Sequence, residues 1–438
     1  MRISAHSVTR QGYSHMVENK VCQDYSLNYS AHDGSLFIAI VSDGHGGETY
    51  CRSDRGSKFA CEIAMDAIKE IKLNDSIKGT AVKVPARIQY KMPADDLSVT
   101  EFKDVYNQIK DVDHIFEHFF KYIYYQWYKK IEADWKENPP TTKERELLGD
   151  SNFEKAYGAT LLAFARTKDY WYGFQIGDGK CFTCDEKGKW EEPILWDSDC
   201  FLNRTTSLCN SDAYKKFRYS FSGKGDFPVA VMIGTDGIDD SWGERLGAYY
   251  TSILEDISVE GVENAKKSLD DSLPDLSKNG NGDDVSVAWI VDEDAIKSIL
   301  PKLKLIDLKQ ECEILSIRAK KLKQMLKDKR DGEKYRNDII KTIKAIDILK
   351  ENINEFQNYN KLKNQENLDL FSTIVSAIGS IGNVVINTVS SFWGFREKCE
   401  INVADDDILL SMQKKVKEIS LTLKDYDDKV KKMNNIYS

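Results

Sequence analysis

The chain has 438 residues, of which 62 are lysine or arginine and 71 are aspartate or glutamate, giving a formal net charge of −9. This acidic balance argues against a general nucleic-acid binder, because no excess of cations is available to neutralise phosphates. The length exceeds the usual size of one domain, so we expect two modules. The hydrophobic content of 41% is sufficient for a large core.

Nine cysteines are scattered along the chain. An odd and scattered set is not the pattern of a secreted disulfide framework. The N-terminal residues MRISAHSVTR also lack the apolar stretch of a signal peptide. We therefore expect reduced thiols and a cytoplasmic location.

Residues 1–295 alternate short β-type runs with helical patterns. Apolar runs bounded by glycine, aspartate or asparagine turns predict strands at 36–42, 160–165, 170–176, 229–233 and 285–291. Apolar side chains at helical spacing predict helices through 60–71 and 116–135. The long and uneven stretch 73–151 predicts an insertion into this first domain.

Residues 300–438 carry a different pattern. In two segments, 305–326 and 409–433, apolar residues alternate spacings of three and four, with lysines and acids between them. This pattern is a heptad seam. Two similar seams favour an intramolecular helical hairpin, while a dimerising coiled coil is the alternative. We expect a C-terminal α-helical coiled-coil module.

The segment 370–395 lies between the two seams and contains no charged residue. Its length would suit a membrane span. However, serine, threonine and asparagine recur at helical spacing, which is typical of an amphipathic helix with an uncharged polar face. Three interpretations stay open: packing within the hairpin, association with a membrane, and self-association.

Aspartates recur where the β-type runs meet turns. They are Asp24, Asp43 with Gly44, Asp178, Asp236 with Asp240, and Asp283. A single Asp-Gly pair is usually only a turn. If the strands lie side by side, however, these carboxylates meet at one sheet edge, where they repel one another unless protons or cations neutralise them. Ligands that are all oxygen favour Mg²⁺ or Mn²⁺ over zinc or copper.

A pair of such ions suggests a reaction. Two divalent ions can lower the pKa of a shared water and orient it for in-line attack on phosphorus. The leaving oxygen then needs a proton, and His45 lies two residues after Asp43 in a glycine-rich turn. Imidazole titrates near neutral pH, which suits a general acid. The alternative is an exposed turn histidine without a catalytic role.

The order of these motifs along the chain resembles the protein phosphatase 2C family, the metal-dependent PPM phosphatases. The matching motifs are Cys22-Gln23-Asp24, VSDGHGG at 41–47, YGAT at 157–160, QIGDG at 175–179, GTDGIDD at 234–240 and GDDVSV at 282–287. GYSH at 12–15 and NRTTSL at 203–208 are similar to its bacterial branch. The resemblance extends over residues 1–293.

The resemblance implies an α+β fold, a four-layer α-β-β-α sandwich in which helices flank two antiparallel sheets. It implies a protein serine/threonine phosphatase domain at 1–295, with a flap at 196–226 beside the cleft. The expected substrate is a phosphorylated protein, and the expected opposing enzyme is a serine/threonine kinase.

The resemblance also implies roles for individual residues. Asp43 would bridge two Mn²⁺ or Mg²⁺ ions, with the Gly44 carbonyl on one of them. The other metal ligands would be Asp236 and Asp283 on the first ion, Asp24 on the second, and Asp178, Asp236 and Asp240 on a weaker third. His45 matches the general acid.

Three positions depart from the family pattern, and one of them, Gln23 in place of the usual carboxylate before Asp24, is common in bacterial relatives. Many relatives carry a phosphate-binding arginine near the first motif, and here His15 is the candidate for that role. An asparagine usually follows the last metal-binding aspartate, and here it is Asp284, which adds a charge.

Two further functions remain as alternatives. In one, the N-terminal domain is a sensor and the C-terminal helices are the effector, acting on a membrane or in assembly. In the other, the enzyme is a phosphatase of small phosphoesters, because the metal chemistry is the same and the surrounding surfaces decide the substrate.

Overall fold

The computed structural model describes residues 2–71, 73, 78–84, 112–200, 204–304 and 306–307. The chain divides into two compact units, Met1–Leu300 and Pro301–Ser438. The predicted helical module at 300–438 lies outside the described residues except for its beginning, and segment 370–395 lies wholly outside them. Parts of the predicted insertion and of the predicted flap also lie outside them.

Two antiparallel sheets form the centre of the first unit. The first sheet has the order β1-β11-β10-β7-β8. Its strands are β1 (Ile3–Arg10), β7 (Lys180–Cys184), β8 (Trp190–Glu191), β10 (Ala230–Gly234) and β11 (Val285–Asp292). The strand β11, buried along its whole length, lies between the strands β1 and β10.

The second sheet has the order β2-β3-β5-β6-β9-β4. Its strands are β2 (Tyr25–Ser30), β3 (Leu36–Ser42), β4 (Ala81–Val84), β5 (Leu161–Thr167), β6 (Trp171–Ile176) and β9 (Arg218–Ser222). Alternate residues of β3 enter two different cores: Phe37 and Val41 face the other sheet, while Ile38 and Ile40 face helices. This double burial explains why the run is apolar without alternation.

Helices cover the outer face of each sheet. They are α1 (Tyr13–Val17), α2 (Ser53–Glu70), α3 (Val112–Glu137), α4 (Thr142–Leu148), α5 (Asp236–Trp242), α6 (Leu246–Glu260) and α7 (Val262–Asn279). The helices α2 and α3 pack on the second sheet, and α6 and α7 pack on the first. The predicted four-layer sandwich is therefore confirmed. None of the helices in the described part of the chain is long and apolar enough to cross a membrane.

Aromatic stacking fixes α3 to the second sheet. Phe116 and Phe120 lie one turn apart on the buried face of α3. The Phe116 ring stacks on Tyr219 with centroids 4.3 Å apart, and the Phe120 ring stacks on Phe217 at 4.6 Å. Tyr219 belongs to β9, so a helix of the predicted insertion contacts a strand that lies within the predicted flap at 196–226.

A buried arginine contacts the other end of the predicted insertion. Arg52, at the start of α2, donates from Nε to Glu144 Oε1 at 2.7 Å and from Nη1 to the Asn138 carbonyl at 2.8 Å. Its guanidinium also lies 4.7 Å from the centre of the Trp135 ring. These contacts bind both α3 and α4 to the domain.

Replacing this arginine is expected to destabilise the domain. Arg52→Met should lower the free energy of unfolding by about 2–3 kcal/mol, because it leaves the Glu144 carboxylate without its partner. Urea denaturation measures the change, and Arg145→Met, at an exposed position of α4, is the control. A loss no larger than that of the control would contradict the assigned anchoring role.

The same ion pair predicts a pH dependence. The Arg52 contact lowers the pKa of Glu144 to about 2, from an ordinary value of 4.5. Because the folded value lies below the unfolded one, the stabilisation is present above pH 4.5 and is lost as the pH falls towards 2. Acid denaturation of Arg52→Met should show a smaller loss of folding free energy between pH 4.5 and pH 2 than that of the parent protein.

Candidate metal centre

The predicted aspartates come from strand ends of both sheets. Asp43 follows β3, Asp178 lies in the turn between β6 and β7, and Asp236 follows β10 at the start of α5. One carboxylate oxygen from each of these three side chains lies within 4.8 Å of the other two. The fold thus brings together three carboxylates that are far apart in the sequence.

Asp24, Asp240 and Asp283 are not members of this group of three, although their charges act on Asp43 or Asp236. Asp24 is buried, and its Oδ2 accepts a hydrogen bond from Thr235 Oγ1 at 2.8 Å. Asp283 is 48% exposed, and Asp240 lies exposed one turn after Asp236 on α5. Gly44 is buried, and its N–H donates to the Gln23 carbonyl at 3.1 Å.

The carboxylates disfavour one another's ionised forms. Burial raises the pKa of Asp43 well above its ordinary value, and the charges of Asp236, Asp24, Asp283 and Asp178 raise it further. Burial, together with Asp178, raises the pKa of Asp236 to about 7. Such a group holds either protons or cations. All of its side-chain ligands are carboxylate oxygens, which fit hard divalent ions.

Gly237 shows why a glycine follows Asp236. A Cβ atom on Gly237 would lie 2.0 Å from the Asp284 carbonyl oxygen, so the start of α5 packs directly on the chain that precedes β11. Only glycine permits this approach. The contact connects the element that carries Asp236 to the element that carries Asp283.

Gly237→Ala is expected to separate these two elements. It should lower the free energy of unfolding by about 1–3 kcal/mol through overpacking, and it should weaken divalent-metal binding as well. Urea denaturation and calorimetric titration with Mn²⁺ measure the two effects. Gly247→Ala is the matched control, because its added Cβ would make only ordinary contact with Trp190 at 3.5 Å. Equal results for the two variants would contradict the prediction.

His45, two residues after Asp43, occupies a restricted position. Its ring packs edge-on against Tyr50 with centroids 4.8 Å apart, and its backbone N–H donates to the Gly158 carbonyl at 3.1 Å. Burial lowers the pKa of His45 to about 4. The ring is therefore neutral near pH 7 without substrate, and in this form one ring nitrogen still carries a donor proton. The general-acid role stays a prediction.

His15 lies between two carboxylates. It is 8% exposed on α1, with Nδ1 2.9 Å from Asp284 Oδ2 and Nε2 3.8 Å from Asp283 Oδ1. The contact with Asp284 raises the pKa of His15, since the carboxylate stabilises the charged ring. The phosphate-binding role of His15 stays a prediction, although neither ring nitrogen faces away from a carboxylate.

Sequence analysis missed Arg218, which supports the turn that carries Asp178. This fully buried side chain of β9 donates from Nη2 to the Gly177 carbonyl at 2.6 Å, and Nη1 lies 3.6 Å from Asp197 Oδ2. It also missed Thr235, the donor to Asp24. The available signals were a single cation in the strand RYSFS and a hydroxyl side chain next to Asp236.

Comparisons with solved structures show distant likenesses. Stp1, a serine/threonine phosphatase from Staphylococcus aureus, is 11% identical over 67% of this chain and 96% of its own, with a TM-score of 0.41. PppA from Pseudomonas aeruginosa is 15% identical over 66% of this chain and 98% of its own, with a TM-score of 0.37. The catalytic domain of PstP, solved with two manganese ions, is 15% identical over 66% and 99%, with a TM-score of 0.37. These likenesses are too distant to assign an activity.

Sequence comparison is more decisive. No curated protein sequence matches the chain. A family model described as Protein phosphatase 2C, however, matches residues 11–274. This match covers more than half of the chain and includes the motifs from Asp24 to Asp240. The chain therefore belongs to the protein phosphatase 2C family, the metal-dependent protein serine/threonine phosphatases.

Proposed function

We propose that the enzyme hydrolyses phosphoserine and phosphothreonine in proteins with the help of two Mn²⁺ or Mg²⁺ ions held at the strand ends. The convergence of Asp43, Asp178 and Asp236 within 4.8 Å carries the proposal. Burial and mutual repulsion disfavour the ionised forms of these carboxylates. Bound divalent cations stabilise those ionised forms.

The proposed ligands follow from the arrangement. The charges of Asp236, Asp24, Asp283 and Asp178 all act on Asp43, which suits a bridging ligand. The remaining assignments are the Gly44 carbonyl beside Asp43, Asp236 and Asp283 on the first ion, Asp24 on the second, and Asp178, Asp236 and Asp240 on a weaker third. When bound, the ions lower the pKa of a water and orient it for attack on phosphorus.

The chain's own residues then complete the reaction. His45 supplies the proton at the leaving oxygen of the serine or threonine, and its contact with Tyr50 restricts the orientation of the ring. A phosphate dianion beside the ring favours its protonated form, which counteracts the effect of burial.

The cellular context is part of the proposal. All the cysteines in the described part of the chain are free thiols, which supports a reducing compartment such as the cytoplasm. The substrate is a phosphoprotein, and a serine/threonine kinase would oppose the enzyme. Family membership does not favour a non-enzymatic sensor or a phosphatase of small phosphoesters. Membrane association or self-association through 370–395 stays a prediction.

The direct test is phosphate release from a phosphothreonine peptide by the full chain. We expect release with Mn²⁺ or Mg²⁺ present and none with excess EDTA, and restored activity when metal is returned. A lower kcat/KM for free phosphothreonine than for the peptide would support a protein substrate. A chain that stays inactive with every divalent metal over the whole pH range of stability would overturn the proposal.

A further inference from the structure

The Asp284 side chain contacts three separate segments of the chain near the candidate metal centre. It is 2% exposed, and Oδ1 accepts a hydrogen bond from the Gly12 N–H at 2.5 Å. Its other oxygen accepts from the Gln23 N–H at 2.6 Å and lies 2.9 Å from His15 Nδ1. Gln23 immediately precedes Asp24, and Asp284 immediately follows Asp283. One buried carboxylate therefore contacts the chain beside two proposed metal ligands.

The helix α1 is bound closely to the same loop. The Ser14 N–H donates to the Gly282 carbonyl at 2.9 Å, and the Tyr13 N–H donates to Ser277 Oγ at 2.9 Å. Ser277 Oγ in turn donates to the Asp283 carbonyl at 2.8 Å. These contacts hold the backbone around His15 against the Asp283 backbone.

The imidazole of His15 lies between the two carboxylates. Asp284 lies at Nδ1, so the opposite nitrogen, Nε2, faces the Asp283 carboxylate at ion-pair distance, 3.8 Å. Carboxylates that bind metal ions are themselves contacted by surrounding polar residues, and these residues orient the ligands. The Asp283 side chain is half-exposed and is not enclosed by the core; its Oδ1 accepts a hydrogen bond from the Asp284 N–H at 2.8 Å, and the same oxygen faces His15.

We propose that His15 and Asp284 are a pair of positioning residues that orient the Asp283 carboxylate towards the first metal ion. The inference depends on the proposed function, in which Asp283 is a metal ligand. It gives His15 a role through Asp283 and not through the phosphate of the substrate. It also explains why a charged side chain follows Asp283 in this chain, because an uncharged one would form no ion pair with His15.

The test is a double-mutant cycle in the full chain with His15→Ala, Asp284→Asn and the double variant. Calorimetric titration with Mn²⁺ measures metal affinity, and thermal unfolding in EDTA measures stability separately. Each single variant should raise the Kd for Mn²⁺ roughly tenfold, as loss of a supporting residue does elsewhere. The double variant should bind no more weakly than the weaker single variant, because the residues act as one unit.

Inhibition by inorganic phosphate distinguishes the positioning role of His15 from the alternative role, in which His15 binds the phosphate of the substrate. At saturating Mn²⁺, the inhibition constant should stay within about twofold of the parent in His15→Ala. A large rise in that constant with an unchanged Kd for Mn²⁺ would overturn the inference and support phosphate binding by His15. Lower thermal stability with an unchanged Kd would equally overturn it, because the pair would then serve the fold alone.

Two controls keep the outcomes distinct. His32→Ala and Asp271→Asn, at exposed positions, should leave both Kd and stability unchanged. A parent chain that binds no Mn²⁺ would contradict the proposed function itself. A parent that binds Mn²⁺, with variants that bind it equally well, would contradict only the positioning role.

Discussion

Asp236→Asn is expected to lower kcat about a thousandfold, because metal-ion catalysis contributes several kcal/mol and each 1.4 kcal/mol corresponds to tenfold in rate. We expect the effect at Asp236 because its carboxylate lies within 4.8 Å of those of Asp43 and Asp178. Asp236 is also the first residue of the helix α5. An amide keeps the size of the side chain but removes the charge that a divalent cation requires. Steady-state assays with a phosphothreonine peptide at saturating Mn²⁺ measure the change.

The controls for this variant exclude misfolding. Asp271→Asn, at an exposed position of α7, should retain the activity of the parent. Asp236→Asn should also keep or increase its stability in EDTA, since it removes one of several repelling charges. A variant as active as the parent would refute the metal-centre account.

Removal of divalent ions is expected to lower Tm strongly at neutral pH and much less near pH 4. In the metal-free protein, burial and neighbouring carboxylates raise the pKa of Asp236 to about 7, from an ordinary value of 3.8. A folded value above the unfolded one gives a contribution that is present below pH 3.8 and is lost as the pH rises through about 7. Asp24, Asp43, Asp178 and Asp283 shift in the same direction.

Metal binding reverses this loss. At a free concentration one hundred times the Kd, one bound ion adds about 2.7 kcal/mol to the free energy of unfolding. Calorimetric scans with Mn²⁺ and with EDTA at several pH values measure the difference in Tm. The difference should grow from low to neutral pH, and a difference that is the same at every pH would contradict the electrostatic account.

Much of the first domain could be predicted from local pattern. The predicted strand at 36–42 matches β3, and the runs near 161, 171, 230 and 285 match strands to within a residue or two. The helices through 60–71 and 116–135 lie within α2 and α3, apart from Ile71 at the end of α2. Strong apolar periodicity and clear turn residues made these elements recognisable.

Weaker elements were missed because their signal is not local. The strand β1 is mostly polar, and its two buried residues, Ala5 and Val8, are three residues apart, so it shows no alternation. It pairs along its whole length with β11 at the other end of the domain. The order of strands in the sheets likewise depends on contacts between distant residues. Only the family resemblance, and not the pattern of runs, predicted two antiparallel sheets.

The candidate site, too, could be predicted only where the sequence contains a local signal. Aspartates beside glycines at strand ends could be predicted to converge, and Asp43, Asp178 and Asp236 do converge. The pairing of His15 with Asp284 could not be predicted, because the helix α1 and the loop before β11 are far apart in the sequence: Ser14 and Gly282, which are in contact, are 268 residues apart. Arg218 was missed for a similar reason, since its partners Gly177 and Asp197 lie on other elements.

The central claim is that carboxylates from distant strand ends hold the divalent ions on which hydrolysis depends. Anomalous diffraction from crystals soaked in Mn²⁺ tests it most directly. The account predicts two manganese peaks with Asp43 between them, Asp236 and Asp283 beside one, and Asp24 on the side of the other. Peaks elsewhere, or no peak between these side chains in an active enzyme, would contradict it.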